Sequence, residues 1–453
     1  MPRPRIRVRD EAGQALVLMI FIVSFLTAVS VTMSGVVVNE QKNAQQAVTV
    51  QTAFQAAEAG IDNYTSKLVE DPLYYSHQVA AAESTRRASN GTLVAAGSAW
   101  SYDLNWTYPN GKNTWQPLTN GYQYNLEIVP PSATTSAITI LSTGRPTGDA
   151  NLSDWRSVQT QIRPASLADF YRFVNGNVSF GSTTTTNGQI YANGTVTHDG
   201  TATANIYAYG GFSGNVTLQN GATVYNGSAA VKSVMANAPI SFSSFLSSLT
   251  NIQNAAQNGG VYLNNVNAAA WWLVFNSNGT FTAQSCTQTS GNDVAAVTPT
   301  CGTATTYSVP VNGAVYSPQT IIVSGQVHGR VTVASNTNVD VSGNISYVTP
   351  GQDVLGIVAA TNVVVCQYAP TNLMWTAAVL AQSGTWETYS SDGSHGTMTF
   401  TGSSATAQGG NFTMFQTRVY NYDPNLLFLS PPWFPTIQDS YTTLLFRQVP
   451  ATP

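Results

Sequence analysis

Four histidines, His77, His198, His328 and His395, three cysteines, Cys286, Cys301 and Cys366, and a thin scatter of acids are what the sequence offers for catalysis or metal binding. Metal ligation usually leaves short paired spacings of His and Cys. These histidines stand far apart, so neither a metal nor a cofactor is expected. Between Arg172 and Arg447 the bases are Arg172, Lys232, Arg330, Arg418 and Arg447, and the acids Asp199, Asp293, Asp340, Asp353, Glu387, Asp392, Asp423 and Asp439 form no close pair in sequence. Hydrolysis or elimination on a sugar needs two closely held carboxylates, or a carboxylate with a base. Each of these residues reads instead as a turn or solvated position, and no enzyme is expected. Trp271, Trp272, Trp375 and Trp386 could stack on sugars or bases, although strand packing is the commoner role of such residues. Cys286 and Cys301 bracket a polar loop of Thr, Gly and Asn. A disulfide there would restrict the loop and suits an oxidising exterior. Cys366 sits in an apolar run and reads as a buried thiol, while three cysteines in principle permit three pairings.

The elements that carry these residues belong to an unusual composition. Only 8% of the 453 residues are Asp, Glu, Lys or Arg, against about 25% in ordinary soluble domains. Asn, Gln, Ser, Thr and Gly take their place, as suits short strands joined by tight turns. Apolar residues make up 43% of the chain, with 17 Phe, 21 Tyr and 9 Trp, enough for a sizeable core and against disorder. An extracellular, β-rich protein is expected.

Topology follows from the stretch Gln14–Asn39, which holds no ionisable residue and exceeds the roughly 20 residues that cross a bilayer. Arg3, Arg5, Arg7 and Arg9 precede it, which by the positive-inside rule keeps the N-terminus cytoplasmic and sends everything after Asn39 outside. The simplest reading is a signal anchor that is never cut.

A sharper one comes from two motifs. A short basic leader ends in Ala12-Gly13 directly before the apolar helix, and AFQAAEAGID follows at Ala53–Asp62. Together they resemble a class III prepilin signal and the N-terminal domain of minor pilins of the PilX type. The resemblance implies cleavage between Gly13 and Gln14 by prepilin peptidase, a new N-terminus at Gln14, retention of the helix in the inner membrane, and assembly with other minor and major pilins into a type IV pilus on the cell surface. Major pilins carry a glutamate at the fifth mature position, where it neutralises a neighbour's terminal amine. Here that position is Leu18. An unpaired charge in an apolar filament core costs several kcal/mol, so placement at or near the filament tip is expected rather than repeated stacking.

The expected fold is α+β and mostly β. Residues 1–13 are the leader, 14–39 the transmembrane half of one long helix and 40–70 its outer half, with Phe54, Ala57, Ile61, Tyr64 and Leu68 recurring at spacings of three and four to form a packing face. Residues 73–164 read as a small antiparallel head, with strands near 122–129, 136–141 and 155–162. From 172 to 450 the texture is short strands bounded by Gly and Asn: Ile190 and Ile206 stand sixteen apart, as do Val196 and Phe212. Such repeats, each too small to bury its own apolar side, point to stacked rungs of a parallel β-solenoid, interrupted near 231–320. An irregular β-sandwich is the alternative. The aromatic, Pro-rich tail at 419–436 would cap the last rung.

For function, adhesion is expected, with neutral glycans fitting the charge-poor surface better than DNA; capture of DNA for uptake, or a secretion pseudopilin, are the alternatives. Removal of the leader would leave 13 Lys and Arg against 19 Asp and Glu, a poor footprint for phosphate.

Overall fold

The computed structural model describes residues 12–70, 115–129, 137–235, 238–242 and 246–451. Residues 1–11 of the expected leader and 73–114 and 130–136 of the expected head lie outside the described residues, as does the side chain of Gln14.

Helix α1 runs without interruption over Ala12–Glu70, about 88 Å at 1.5 Å per residue. Its two halves differ in what they bury. Leu18, Phe21, Phe25 and Met33 are 64, 75, 65 and 67% exposed. The hydroxyls of this half turn inward on the helix itself: Thr27 Oγ1 donates to the Val23 carbonyl at 2.7 Å, and Ser30 Oγ and Ser34 Oγ to the Leu26 and Ser30 carbonyls, each at 2.8 Å. The helix is thus apolar on its outside and long enough to cross a membrane.

The second half packs on an antiparallel sheet of β1 (Gln116–Pro117), β2 (Tyr122–Val129), β3 (Ile138–Pro146), β4 (Arg156–Ser166) and the last strand of the chain, Thr436–Val449, in that order. Ala57, Ile61, Tyr64 and Leu68 are buried against Leu126, Ile140, Val158 and Ile162, with Phe54 half-buried beside them. The small residues of the 53–62 motif let the helix approach closely. A Cβ added at Gly144 of β3 would stand 2.0 Å from the Ala53 carbonyl, and one at Gly60 would stand 2.5 Å from Ser142 Oγ.

The last strand alters the expected domain plan. The sequence texture places 172–450 in the distal domain, yet Thr436–Val449 pairs with β4, from Thr436 beside Ser166 to Val449 beside Ser157. The distal domain is therefore inserted into the head sheet rather than appended to it. The tail before this strand does not cap a rung. It packs along the outside of the domain, where Trp433 Nε1 donates to the Asn312 carbonyl at 2.7 Å and Arg330 Nη2 to the Ser430 carbonyl at 3.1 Å.

The inserted domain is β-rich, with its strands stacked in parallel register as successive rungs. Ile190–Ala192, Ile206–Ala208 and Val224–Asn226 lie beside one another in register, as do Val178–Phe180, Thr195–His198 and Gly211–Ser213. The sixteen-residue spacings are rung to rung: Ile206 sits beside Ile190 and Phe212 beside Val196. A second series runs Val261–Tyr262, Ala314–Ser317, Arg330–Ser335, Val354–Ala359, Leu373–Ala381 and His395–Thr406. Asn residues tie successive turns at the corners: Asn338 Oδ1 accepts from the Asn362 amide at 3.1 Å, and Asn362 Oδ1 from Thr385 N at 2.9 Å.

The two series join out of chain order. Ser404–Thr406, near the end of the second, pairs with Arg172–Val174, the start of the first. The segment after Asn226 carries the chain back to Val261 through the helices Ser228–Lys232 and Leu246–Gln257. Leu249, Ile252, Ala255 and Ala256 of the longer helix cover the outer side of the sheet at Ala314, Tyr316 and Ala334. The expected interruption at 231–320 is thus partly this return. The rest of it includes the hairpin Ala270–Asn276 with Thr280–Thr287, whose first strand pairs in parallel with Thr320–Val327.

Candidate functional site

The seam between the two series is paired on one face. On the others, Trp386–Thr388 pairs with Val363–Val365, Val178–Phe180 with Thr195–His198 and Thr185–Thr186 with Thr201–Ala202, each within its own series. A cleft of about 860 Å³ opens there. Val178, Phe180 and Thr185 line it from one series, and Phe412, Arg418 and Tyr420 from the other. Arg172, Trp386, Phe400 and Ser404, all buried, also line it.

Arg172 is the anomaly. In-register neighbours of a parallel sheet share a face, and the column through Arg172 reads Val261, Val315, Val333, Ile357, Val379, Ser404, Arg172, Ile190, Ile206, Val224. Every position is aliphatic except the two at the seam. Arg172 is 8% exposed. Its Nη1 donates to Ser404 Oγ at 3.2 Å, and its guanidinium carbon lies 5.8 Å from the Trp386 ring centroid. The ionisable groups that act on its charge are phenols, those of Tyr171 and Tyr420. Burial pushes both phenols up, Tyr420 to about 12, so neither is an anion near neutral pH. Burial lowers Arg172, with the phenols opposing, to about 10, and the side chain stays cationic at pH 7. Among the described residues it has no carboxylate partner.

The aromatic lining forms one cluster. The Trp386 ring lies 4.5 Å from Phe412, 4.6 Å from Phe400 and 5.9 Å from Tyr420, centroid to centroid. The Nε1–H of Trp386 is buried without an acceptor among the described residues. The cleft therefore presents a fixed positive charge, a neighbouring indole and flat apolar faces.

A second hollow, of about 640 Å³, is lined by Asp293, Glu387 and Asp392 together with Asn338 and Asn362. Those amides already belong to the corner ladder, so this hollow is an outer edge of the stack rather than a built pocket.

The residues singled out from sequence fall into separate places. Gly13 and Gln14 lie in the first turn of α1, and Leu18 is exposed on its apolar half. Phe54, Ala57, Ile61, Tyr64 and Leu68 meet the head sheet. Cys286 and Cys301 are joined by a disulfide between paired strands, and Cys366 is a buried free thiol. His198, His328 and His395 lie on separate turns; Nδ1 of His198 accepts from the Gly200 amide at 3.1 Å. His77 lies outside the described residues.

Known proteins add little. No protein-family model matches the chain, and no curated protein does. Among solved structures, the competence-associated pilin ComZ from Thermus thermophilus aligns over 88% of this chain and 98% of its own, at 15% identity and a TM-score of 0.29. That score supports no inference about this chain.

Arg172 and the seam escaped the sequence reading, which placed Arg172 among scattered, solvated bases. The one signal in the sequence was its position: Arg172 opens a Phe-Val pair where the rungs at Ile190 and Ile206 open with Ile.

Proposed function

We propose that this chain is a minor pilin-like subunit of a type IV filament, held in the inner membrane by α1 before assembly and displaying the rung stack at the cell surface, at or near the tip, for assembly and adhesion. The observation that carries the proposal is the division of α1. Its outer half is packed on the head sheet, and its first half is an unpartnered apolar rod with every hydroxyl named above bonded within the helix. A helix built this way suits lipid first and the apolar core of a helical filament afterwards. Leu18 supports the tip placement, since no acid stands at that position to meet a neighbour's amine. The resemblance to PilX-type minor pilins supplies prepilin peptidase and other pilins as partners. The role is one of binding and assembly rather than catalysis.

The deciding measurement is the mass of the mature N-terminus in cells with and without prepilin peptidase. The proposal expects a chain beginning at Gln14 only when the peptidase is present, and the uncut leader in Gly13→Ala. A wild-type chain that keeps its leader in both strains makes it a signal-anchored surface protein instead.

A further inference from the structure

We propose that the seam cleft is a binding site for an acidic sugar, a pyranose bearing a carboxylate, with Arg172 taking the carboxylate and the aromatic lining taking the ring. This deepens the adhesion reading and rests on it for its biological sense, but its chemistry does not depend on filament assembly.

Three observations converge. An isolated cation removed from water is costly unless paired, and Arg172 is buried, cationic and, among the described residues, without a carboxylate, in a column that is otherwise aliphatic apart from the serine it bonds. A guanidinium matches a carboxylate in two parallel hydrogen bonds, and an external anion would supply the missing partner. Second, the cleft has the make-up of a ligand site: an apolar, aromatic lining with a few convergent polar groups. Phe412 and Tyr420 offer faces to the C–H side of a ring, and Asn187, Gln416 and Asn421 line the same cleft and can meet hydroxyls. Third, the charge is nearly single. Arg418, exposed on the wall, is the other cation lining the cleft. A nucleic-acid strand carries a charge on every nucleotide and is held by several cations, whereas one carboxylate per sugar asks for one.

The test is calorimetric titration of the detergent-solubilised full-length chain with trigalacturonate and with its neutral methyl ester. Wild type is expected to bind the acid at least tenfold more tightly than the ester, the usual scale for one charge-assisted pair. Arg172→Met should remove that preference. Phe412→Ala should weaken acid and ester by the same factor, which a lost charge contact would not do, and it leaves Arg172 in place should the first variant fail to fold. Equal affinity of wild type for acid and ester overturns the proposal, as does the absence of binding or an unchanged preference in Arg172→Met. Displacement of the sugar by inorganic sulfate at equal affinity would make the cleft an anion site with no sugar selectivity. Tighter binding of a single-stranded DNA oligomer, lost in Arg172→Met, would assign it to nucleic acid; both outcomes also refute the sugar. Because filament assembly does not enter the measurement, a failure here leaves the N-terminal processing result intact.

Discussion

A buried ion pair lies where the chain leaves the head for the stack, and Arg163→Met tests what it contributes. Arg163, 1% exposed at the end of β4, pairs through Nη2 with Asp169 Oδ1 and through Nη1 with Asp169 Oδ2 at 3.2 Å. It also donates from Nε to the Leu427 carbonyl at 2.8 Å. Asp169 accepts in turn from Ser166 N at 2.9 Å. Arg163 thus holds Asp169 on the chain leaving the head and reaches Leu427 on the chain returning to it. Burial raises the Asp169 pKa despite the pull of Arg163. Without the guanidinium the carboxylate is left buried and unpaired, a change that typically costs about 3–5 kcal/mol. With an unfolding entropy of about 2.1 cal/mol/K per residue over roughly 400 ordered residues, that is a fall of about 4–6 °C in Tm. The loss should depend on pH. The folded-state pKa of Asp169 lies above its unfolded value, so the protonated carboxyl favours the folded chain at low pH and that stability is lost as pH rises through the folded pKa. In Arg163→Met the shift grows, and the deficit is largest at pH 8 and shrinks toward pH 5. Arg163→Met combined with Asp169→Asn, which keeps an acceptor for Ser166 N without a charge, should recover most of it. Thermal unfolding of the full chain in detergent at both pH values reads all of this. A deficit under about 1 °C at pH 8, or one that is equal at pH 5 and pH 8, would show that the buried charge is not what the pair neutralises.

Three further outcomes follow from the packing. Gly144→Val should push α1 off β3, since even a Cβ meets the Ala53 backbone; a loss of about 1–3 kcal/mol or more would appear as early proteolysis within 53–68, and unchanged protection there would contradict the close approach. Asp340→Asn should stabilise the chain at pH 8 and have little effect at pH 5: both carboxylate oxygens are buried without a partner among the described residues, and burial, with Asp293 adding to it, raises the pKa well above the usual range, so the charged form penalises the fold only at the higher pH. Cys286→Ser opens a loop of sequence separation 15, worth about 3 kcal/mol, and should make cleavage between 287 and 300 faster without touching the head.

Much of the architecture was legible because it is written locally. The charge-free run before Asn39 and the three-four spacing from Phe54 to Leu68 describe α1, and alternating runs mark β2, β3 and β4. Gly and Asn at fixed intervals mark the rungs, because each turn of the stack needs the same corner. What escaped depends on pairing across long stretches of chain. Nothing in Thr436–Val449 says that its partner is β4 rather than a neighbouring rung, and the alternation of a head strand looks like that of a rung. Arg172 resembled one more scattered base. Only the register that sets it beside Ser404, 232 residues away, reveals a cation in an aliphatic column.

The permuted order of the rungs has a geometric cause, and the cleft follows from it. Ser166 and Thr436 are paired neighbours in the head sheet, so the whole insertion must begin and end at one place. A linear stack wound from one end to the other would leave its ends nine rung spacings apart, about 43 Å at 4.8 Å per step, and would need a long outer return beside the head. This chain begins in the middle, at Arg172, winds outward to Asn226, returns along the outer side of the stack through the Leu246–Gln257 helix, and winds back until Phe415–Asn421 lies next to its starting rung. The closure cost of such an insertion rises only slowly with its length, which is how the head accommodates it. The same solution requires a seam where two series meet without a covalent step between them. One face of that seam is sealed by Ser404–Thr406 on Arg172–Val174, and the unsealed faces form the cleft. The pocket lies at the seam because that is where the topology leaves the stack unpaired, and the column carries a cation there in place of an aliphatic side chain.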